Sequence, residues 1–120
     1  MFYAKKSKFN IRNCTLTANA LDYSCIVVSD ESEINALNTD FTAVASTATC
    51  ISATGGILKI SECLCSSIGH LCHVAELNTS HAEFRKNIFS IRKEDSSLNS
   101  EIIWKNAGTE LIEYGNITND

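Results

Sequence analysis

The sequence predicts an α+β domain that is mainly an antiparallel β-sheet, with one amphipathic helix packed on it. Two segments, near 57–77 and 101–114, can each pair with themselves as a hairpin, and residues 80–93 carry apolar side chains at helical spacing. The length of 120 residues and the lack of a recognisable linker or repeat indicate a single domain over residues 1–120. With 44 % hydrophobic and 20 % charged residues, the chain is apolar enough to form a packed core.

The first hairpin forms if residues 66–69 are a four-residue loop. Antiparallel pairing then places Lys59 opposite Glu76 and Cys63 opposite Cys72, so that opposite charges meet and thiols meet. In this register one face of the hairpin is apolar, and it consists of Leu58, Ile60, Leu64, Leu71, Ala75 and Leu77. A pairing that satisfies both charge and hydrophobicity favours the hairpin.

The second hairpin turns at residues 107–108. Its pairing places Lys105 opposite Glu110 and Trp104 opposite Leu111, which again matches charge with charge and apolar with apolar side chains. Both hairpins therefore predict antiparallel strands.

The helix is predicted over 80–93. Ser80 and Glu83 have the spacing of a capping box, in which two side chains bind the free N–H groups of the first helical turn. The apolar stripe consists of Phe84, Ile88 and Ile91. This helix is expected to cover one face of the sheet.

The first third of the chain carries weaker patterns. Residues 9–18 and 22–29 predict strands, the first with a bulge near Asn13 because its apolar residues change parity there. Residues 29–40 predict one short helix that begins at Ser29.

Two segments fit both the helical and the strand period. Residues 41–53 are rich in threonine, which favours a strand over a helix. Residues 57–68 carry apolar residues three and four positions apart, so a helix ending at Gly69 is the alternative to the first hairpin.

Residues 62–73 place three cysteines and two histidines within twelve positions. On the first hairpin, Cys63, Cys65, His70 and Cys72 share the face opposite the apolar one, and they are the ligand types of a structural zinc site. A flat strand face does not readily bring four ligands into a tetrahedron around one ion. We therefore expect the thiols to pack in the interior, with zinc and a Cys63–Cys72 disulfide as alternatives, and no other cofactor.

Basic residues are concentrated at the start of the chain. Lys5, Lys6, Lys8 and Arg12 give the first twelve residues a charge of +4, which leaves −8 on the remaining 108. Residues 1–8 therefore predict a basic N-terminal arm, which suits an acidic protein surface, including that of a second copy. A solvated terminus without a partner is the alternative. Nucleic acid is disfavoured, because the acidic body would repel phosphates.

Motifs of catalysis are missing from the sequence. There is no nucleophile elbow, phosphate-binding loop, dinucleotide fingerprint or HExxH zinc motif. Glu62 lies opposite His73 in the first hairpin, but a carboxylate beside an imidazole is more often a pair satisfying itself at the edge of a core than a catalytic pair. We predict no catalytic residues, no small-molecule substrate and no enzyme.

Targeting signals are also missing. No apolar run approaches the roughly 18 residues of a membrane helix, and the first residues lack the apolar region of a secretory signal. We expect cytoplasmic synthesis in a reducing compartment and no membrane partner.

The predicted function is that of a non-catalytic structural or interaction protein. It would be a self-associating subunit of a larger assembly that docks through its sheet edge and its basic arm. The composition, rich in Ser, Thr, Asn and Ala, is similar to that of small phage structural proteins, so this prediction includes a viral assembly and a virion location. A zinc-stabilised binding module and a small acidic inhibitor of a basic protein site are the two alternatives.

Overall fold

The computed structural model describes residues 2–94 and 100–119, and every regular element in these ranges is a β-strand. In chain order the strands are β1 (Phe2–Lys5), β2 (Lys8–Arg12), β3 (Thr15–Asn19), β4 (Tyr23–Asp30), β5 (Glu33–Leu37), β6 (Asp40–Val44), β7 (Thr47–Thr54), β8 (Ile57–Ser61), β9 (Leu64–Gly69), β10 (Leu71–Asn78), β11 (His81–Arg85), β12 (Ile88–Lys93), β13 (Ile103–Lys105), β14 (Glu110–Tyr114) and β15 (Ile117–Asn119).

The strands form three parallel sheets, and each sheet takes every third strand of the chain. Sheet A has the order β1-β4-β7-β10-β13, sheet B the order β2-β5-β8-β11-β14, and sheet C the order β3-β6-β9-β12-β15. Three consecutive strands therefore make one turn around a common axis. Five such coils stack into a β-solenoid whose sheets enclose the core.

Equivalent positions recur every 24 or 25 residues in the first four coils. One column of sheet B consists of Phe9, Ile34, Leu58, Ala82 and Leu111. Its last step is 29 residues long, because the connection from β12 to β13 is the longest in the chain. Side chains alternate between the two faces of a strand, so most columns either line the core or face outward along their whole length.

The core is a continuous stack of apolar side chains between the three sheets. Its largest fully buried members include Phe41, Phe84 and Phe89. The rings of Phe84 and Phe89 meet edge to face, with 5.5 Å between their centroids, which is a favourable geometry for two aromatic rings. Alanines at neighbouring inward positions, such as Ala36 and Ala43, leave the space that these rings occupy.

The corners are built from a repeated two-residue device. Seven residues other than glycine have a positive φ of 48° to 56°, and they are Lys6, Asn13, Glu31, Asn38, Glu62, Thr79 and Lys86. In six of these turns the next residue is Ser, Thr or Cys, and its side chain donates to the carbonyl two residues earlier; these six are Ser7, Cys14, Ser32, Thr39, Cys63 and Ser80. This bond holds a backbone conformation that most residues avoid.

Asn87 takes the seventh of these positions and joins three coils. Its Oδ1 accepts from the backbone N–H of Cys63 at 2.9 Å, and its Nδ2 donates to the carbonyl of Ile60 at 3.0 Å. Its own backbone N–H donates to Oδ1 of Asn116 at 3.0 Å. Only 1 % of Asn87 is exposed, so water cannot replace these bonds.

We expect Asn87→Ala to lower the free energy of unfolding by about 2–4 kcal/mol, because it leaves the buried N–H of Cys63 and the buried carbonyl of Ile60 unpaired. Urea unfolding followed by circular dichroism measures this. Asn10→Ala is the matched control, since Asn10 is exposed and its loss should cost less than about 0.5 kcal/mol. Equal losses in the two variants would contradict the role assigned to Asn87.

The prediction of an α+β fold with an antiparallel sheet is wrong, because the described chain is all-β and its sheets are parallel. The helix predicted over 80–93 is replaced by β11, a corner and β12. Phe84 points into the core and Ile88 points outward. The corner shifts the parity between the two strands, so two alternating patterns together imitate a helical period. Ser80 is a corner residue whose hydroxyl donates to the carbonyl of Asn78, and it caps no helix.

Both predicted hairpins are wrong in their pairing. In the segment 57–77, β8 lies in sheet B, β9 in sheet C and β10 in sheet A, so its halves do not pair. In the segment 101–114, β13 pairs with β10 and β14 pairs with β11. The charge matches exist between coils instead: Lys59 Nζ lies 3.8 Å from Glu83 Oε2, and His81 Nδ1 lies 3.3 Å from Glu110 Oε2.

The remaining predictions divide between confirmed and wrong. The strands predicted over 22–29 and 41–53 are confirmed as β4 and as β6 with β7. Residues 9–18 form β2 and β3, and the parity change near Asn13 marks a corner with φ +55 in place of a bulge. The short helix over 29–40 is wrong, because this segment contains the end of β4 and the whole of β5.

Candidate functional site

The N-terminal edge of the solenoid consists of β1, β2 and β3. Within the described residues each of these strands has a neighbour on one side only, which is β4, β5 and β6 respectively. The other side offers backbone N–H and C=O groups to an incoming strand.

The hydrogen bonds around β2 show which of its backbone groups are free. The carbonyl of Ser7 accepts from Glu33 N–H, and Asn13 N–H donates to the carbonyl of Leu37. Backbone groups alternate in direction along a strand of a parallel sheet, so the odd-numbered residues of β2 bond to β5. The N–H and C=O groups of Lys8, Asn10 and Arg12 therefore point away from β5, toward the open side.

The inward positions of the N-terminal edge are all apolar, and they are Phe2, Ala4, Phe9, Ile11, Leu16 and Ala18. The rings of Phe2 and Phe9 pack together with 5.5 Å between their centroids, yet they are 42 % and 36 % exposed because no coil covers them. Beside them lies a cavity of about 370 Å³ whose lining includes Phe9, Ile11 and Leu16. The core is thus open to solvent at this end.

The edge continues onto β4, which is longer than the strand that covers it. The register pairs Phe2 with Val27, so no described strand covers Tyr23, Ser24 and Cys25 on this side. A second cavity of about 300 Å³ lies there, between these residues and the end of β3. The Ser24 hydroxyl is buried without a hydrogen-bond partner, which leaves a polar group available to an incoming segment.

The four basic residues predicted to interact all lie in the first coil. Lys5 ends β1, Lys6 is a corner residue, and Lys8 and Arg12 are the first and last residues of β2. The segment predicted as an arm, residues 1–8, thus contributes β1 and the first corner to the solenoid. These basic side chains surround the apolar opening of the edge.

Two of these charges have partners and two do not. Lys6 Nζ lies 3.8 Å from Glu31 Oε2, and Lys8 Nζ lies 3.1 Å from Glu33 Oε2. In the described part of the chain no carboxylate pairs with Lys5 or Arg12. Since residues 2–21 contain no acidic residue, the N-terminal edge carries an excess of positive charge.

The C-terminal edge, formed by β13, β14 and β15, differs in one respect. Its inward columns end in charged or polar residues: Lys105 stacks on Leu77, Glu113 on Phe84 and Thr118 on Phe89. All three are exposed, whereas the residues beneath them are fully buried. Repeat proteins end in polar capping repeats of this kind, and inward charges oppose the addition of further strands.

The proposed zinc ligands do not converge. Cys63 is a buried corner residue, Cys65 points inward from sheet C, and Cys72 is buried at the start of sheet A. His70 is exposed at the corner between them. Among residues 2–94 and 100–119 no group of three or more His, Cys, Asp or Glu side chains could hold a metal ion, and all six cysteines are free thiols.

The buried thiols are held in their neutral form. Burial raises the pKa of Cys25 to about 11 and that of Cys50 to about 12, and it raises the pKa of Cys65 well above its ordinary value. Burial also raises the pKa of Cys63 and of Cys72. A nucleophilic cysteine needs a lowered pKa, so these five thiols act as small apolar side chains.

Glu62 and His73 do not form the pair predicted from the sequence. Glu62 is an exposed corner residue, while His73 is buried in sheet A and its Nδ1 lies 2.6 Å from the carbonyl oxygen of Glu101. The acids of sheet B alternate with bases, since Glu83 contacts both Lys59 and Arg85.

The open apolar end was not predicted from the sequence. Phe2, Phe9 and Ile11 look like ordinary strand residues, and only an alignment of the chain with itself at a shift of 24–25 residues places them in the first coil. The repeated Ser, Thr or Cys after a corner residue is the signal for that alignment.

Comparison of the chain with protein-family models, with curated proteins and with solved structures finds no match. The viral and assembly roles inferred from composition thus receive no support. No helix long and apolar enough to cross a membrane is present in residues 2–94 and 100–119.

Proposed function

We propose that the protein is a non-catalytic interaction module that binds an extended segment of another protein at its N-terminal edge, as an additional strand. The observation that carries the proposal is the difference between the two ends of the solenoid. The inward columns are apolar and open at the N-terminal edge, and they end in Lys105, Glu113 and Thr118 at the C-terminal edge. An added strand would pair with the free groups of β2 and cover exposed apolar side chains such as Phe9.

A different protein suits this edge better than a second copy does. Two N-terminal edges would bring like charges together. Head-to-tail stacking would bury Lys105 and Glu113 against apolar residues, which is costly without partners. The self-association expected from the sequence is therefore disfavoured in both of these arrangements.

The alternating charges of sheet B also favour an interaction module over an acidic inhibitor. Glu31, Glu33 and Glu83 each contact a lysine of this chain, so their charge is partly neutralised. A mimic of nucleic acid needs a row of unpaired acids.

The edge can be blocked without disturbing the fold. Asn10→Pro removes one N–H on the open side of β2 and leaves the bonds to β5 intact, since proline is tolerated on edge strands when its nitrogen faces solvent. We expect peptides that bind the wild type to bind Asn10→Pro at least about tenfold more weakly, from the lost hydrogen bond and the obstructing ring. Phage-displayed random dodecapeptides selected on the wild type supply the probes, and fluorescence anisotropy of the synthesised binders measures their affinity.

Two variants serve as matched controls. Asn10→Ala keeps the N–H, and Glu113→Pro places the same ring at the C-terminal edge, where by the same alternation the N–H of residue 113 is free. Both should bind like the wild type. A selection that yields no binders, or binders that are indifferent to Asn10→Pro, would refute the proposal.

A further inference from the structure

The free side of β2 presents the same side chains that its existing neighbour, β5, already satisfies. Lys8 pairs with Glu33 at 3.1 Å, and Asn35 Nδ2 donates to Asn10 Oδ1 at 3.2 Å. Phe9 stacks on Ile34 in the same register. Side chains stand perpendicular to a sheet and reach both neighbouring strands, so the sequence of β5 indicates what a strand on the other side should carry.

Charge sets the ends of the incoming segment. Lys8 and Arg12 point to the same outer face and lie four residues apart, about 13 Å along the strand at roughly 3.3 Å per residue. The β5 residue beside Arg12 is Leu37, and no described carboxylate pairs with that guanidinium. An acidic residue at each end of a five-residue segment would pair with both bases, and for Arg12 it would supply a carboxylate that the chain does not.

Apolar contact sets the second and fourth positions. These positions lie beside Phe9 and Ile11 and point toward the cavity of about 370 Å³. An aliphatic side chain there would cover Phe9 and fill part of that space, which removes apolar surface from water. A polar residue there would be buried without partners.

We propose that the N-terminal edge selects an acidic, extended protein segment of the pattern acid-aliphatic-Asn-aliphatic-acid, an inference that rests on the strand-docking function proposed above. The pattern reads the same in both directions, so parallel and antiparallel docking satisfy it equally. Its two acids face Lys8 and Arg12, its asparagine faces Asn10, and its aliphatic residues extend the core.

Three peptides test this pattern, each with the same flexible flanks. The first has the centre Glu-Ile-Asn-Ile-Glu, the second replaces both glutamates with lysine, and the third has the centre Ile-Glu-Asn-Glu-Ile, which sends the charges inward. Fluorescence anisotropy at low salt measures their affinities for the wild type. We expect the first peptide to bind at least tenfold more tightly than either of the others.

Arg12→Glu supplies the reciprocal test. Arg12 is exposed and has no ion-pair partner among the described residues, so the change should preserve the fold, which circular dichroism checks. We expect this variant to weaken the first peptide about tenfold and to bind more tightly a peptide in which one of the two glutamates is lysine. Whichever glutamate restores binding also reports the direction of the docked strand.

The outcomes separate this inference from the proposed function. If the lysine peptide binds as tightly as the glutamate peptide and both are lost in Asn10→Pro, the acidic pattern is refuted and strand docking stands. If the shifted peptide binds as tightly as the first, the inward aliphatic positions are refuted. If none of the three binds, the acidic pattern is refuted, and selected dodecapeptides that depend on Asn10 would still support strand docking.

Discussion

Raising the pH from 8 to 10.5 is expected to unfold the protein, because its core holds neutral thiols that ionise once they are exposed. The pKa of Cys25 is raised to about 11 and that of Cys50 to about 12, from the ordinary value of 9.0. That of Cys65 is also raised well above 9.0. Burial in apolar surroundings is the largest cause in all three, since it disfavours the thiolate.

The sign of the effect follows from the protons bound in each state. Above about pH 9 the unfolded chain loses thiol protons that the folded chain keeps, so the free energy of unfolding falls as the pH rises. Their contribution is fully present below pH 9 and declines up to the folded pKa values. At pH 10.5 each of the three thiols costs about 2 kcal/mol, or about 6 kcal/mol together. This approaches the whole stability of a small domain, about 5–15 kcal/mol.

Urea unfolding at pH 8, 9 and 10, under a reductant and followed by circular dichroism, measures the slope of stability against pH. A double variant, Cys25→Ala with Cys50→Ala, should start less stable but lose about two protons fewer at pH 10, so its slope is shallower by about 2–3 kcal/mol per pH unit. Cys14→Ser, at the one exposed thiol, should leave the slope unchanged. Equal slopes in the wild type and the double variant would contradict the assignment.

The sequence carries the strands of this fold more clearly than their arrangement. Alternation of apolar and polar residues marks β4, β6 and β7 correctly, because it depends only on which face of a strand is buried. It does not say which strand lies alongside. Lys59 has an acid at a suitable position both in the hypothetical hairpin, at Glu76, and in the next coil, at Glu83, and only the coil pairing forms.

The repeat escaped recognition because its coils share geometry and not residue identity. The left-handed corner positions are occupied by Lys, Glu, Asn, Thr and Gly, and most of these are not the glycine or proline that usually mark a turn. The column that contains Phe9 and Ala82 shows the same variation inside the core. What recurs is the small hydrogen-bonding side chain after each corner, which has meaning only once the period is known.

The candidate site was partly predictable. The excess of basic residues at Lys5, Lys6, Lys8 and Arg12 is a property of composition, so the sequence shows it directly. The open core beside them is a property of topology, because Phe2 and Phe9 would be buried in any interior coil. The same limit applies to the thiols: their burial was expected, and the ligand cluster arose only from an incorrect pairing.

Removing the inward charges of the last coil is expected to turn a monomer into a head-to-tail polymer. In the double variant Lys105→Val with Glu113→Ile, the C-terminal edge would present apolar columns that continue those of the N-terminal edge. Extending the register by one coil places Ile103 beside Phe2 of the next copy, Leu111 beside Phe9 and Glu110 beside Lys8. Because this contact is repeated along one axis and does not close, it produces filaments in place of dimers.

Light scattering during size-exclusion chromatography distinguishes the two states. The wild type should elute at the mass of one chain, 13.1 kDa, while the double variant should grow in mass with concentration. Adding Asn10→Pro to the double variant should return it to a monomer, because the N-terminal edge then lacks a required N–H and carries an obstructing ring. A wild type that polymerises by itself, or a double variant that stays monomeric at high concentration, would show that Lys105 and Glu113 are not what stops the stacking. The two charges would then have no role in choosing a different protein over a second copy.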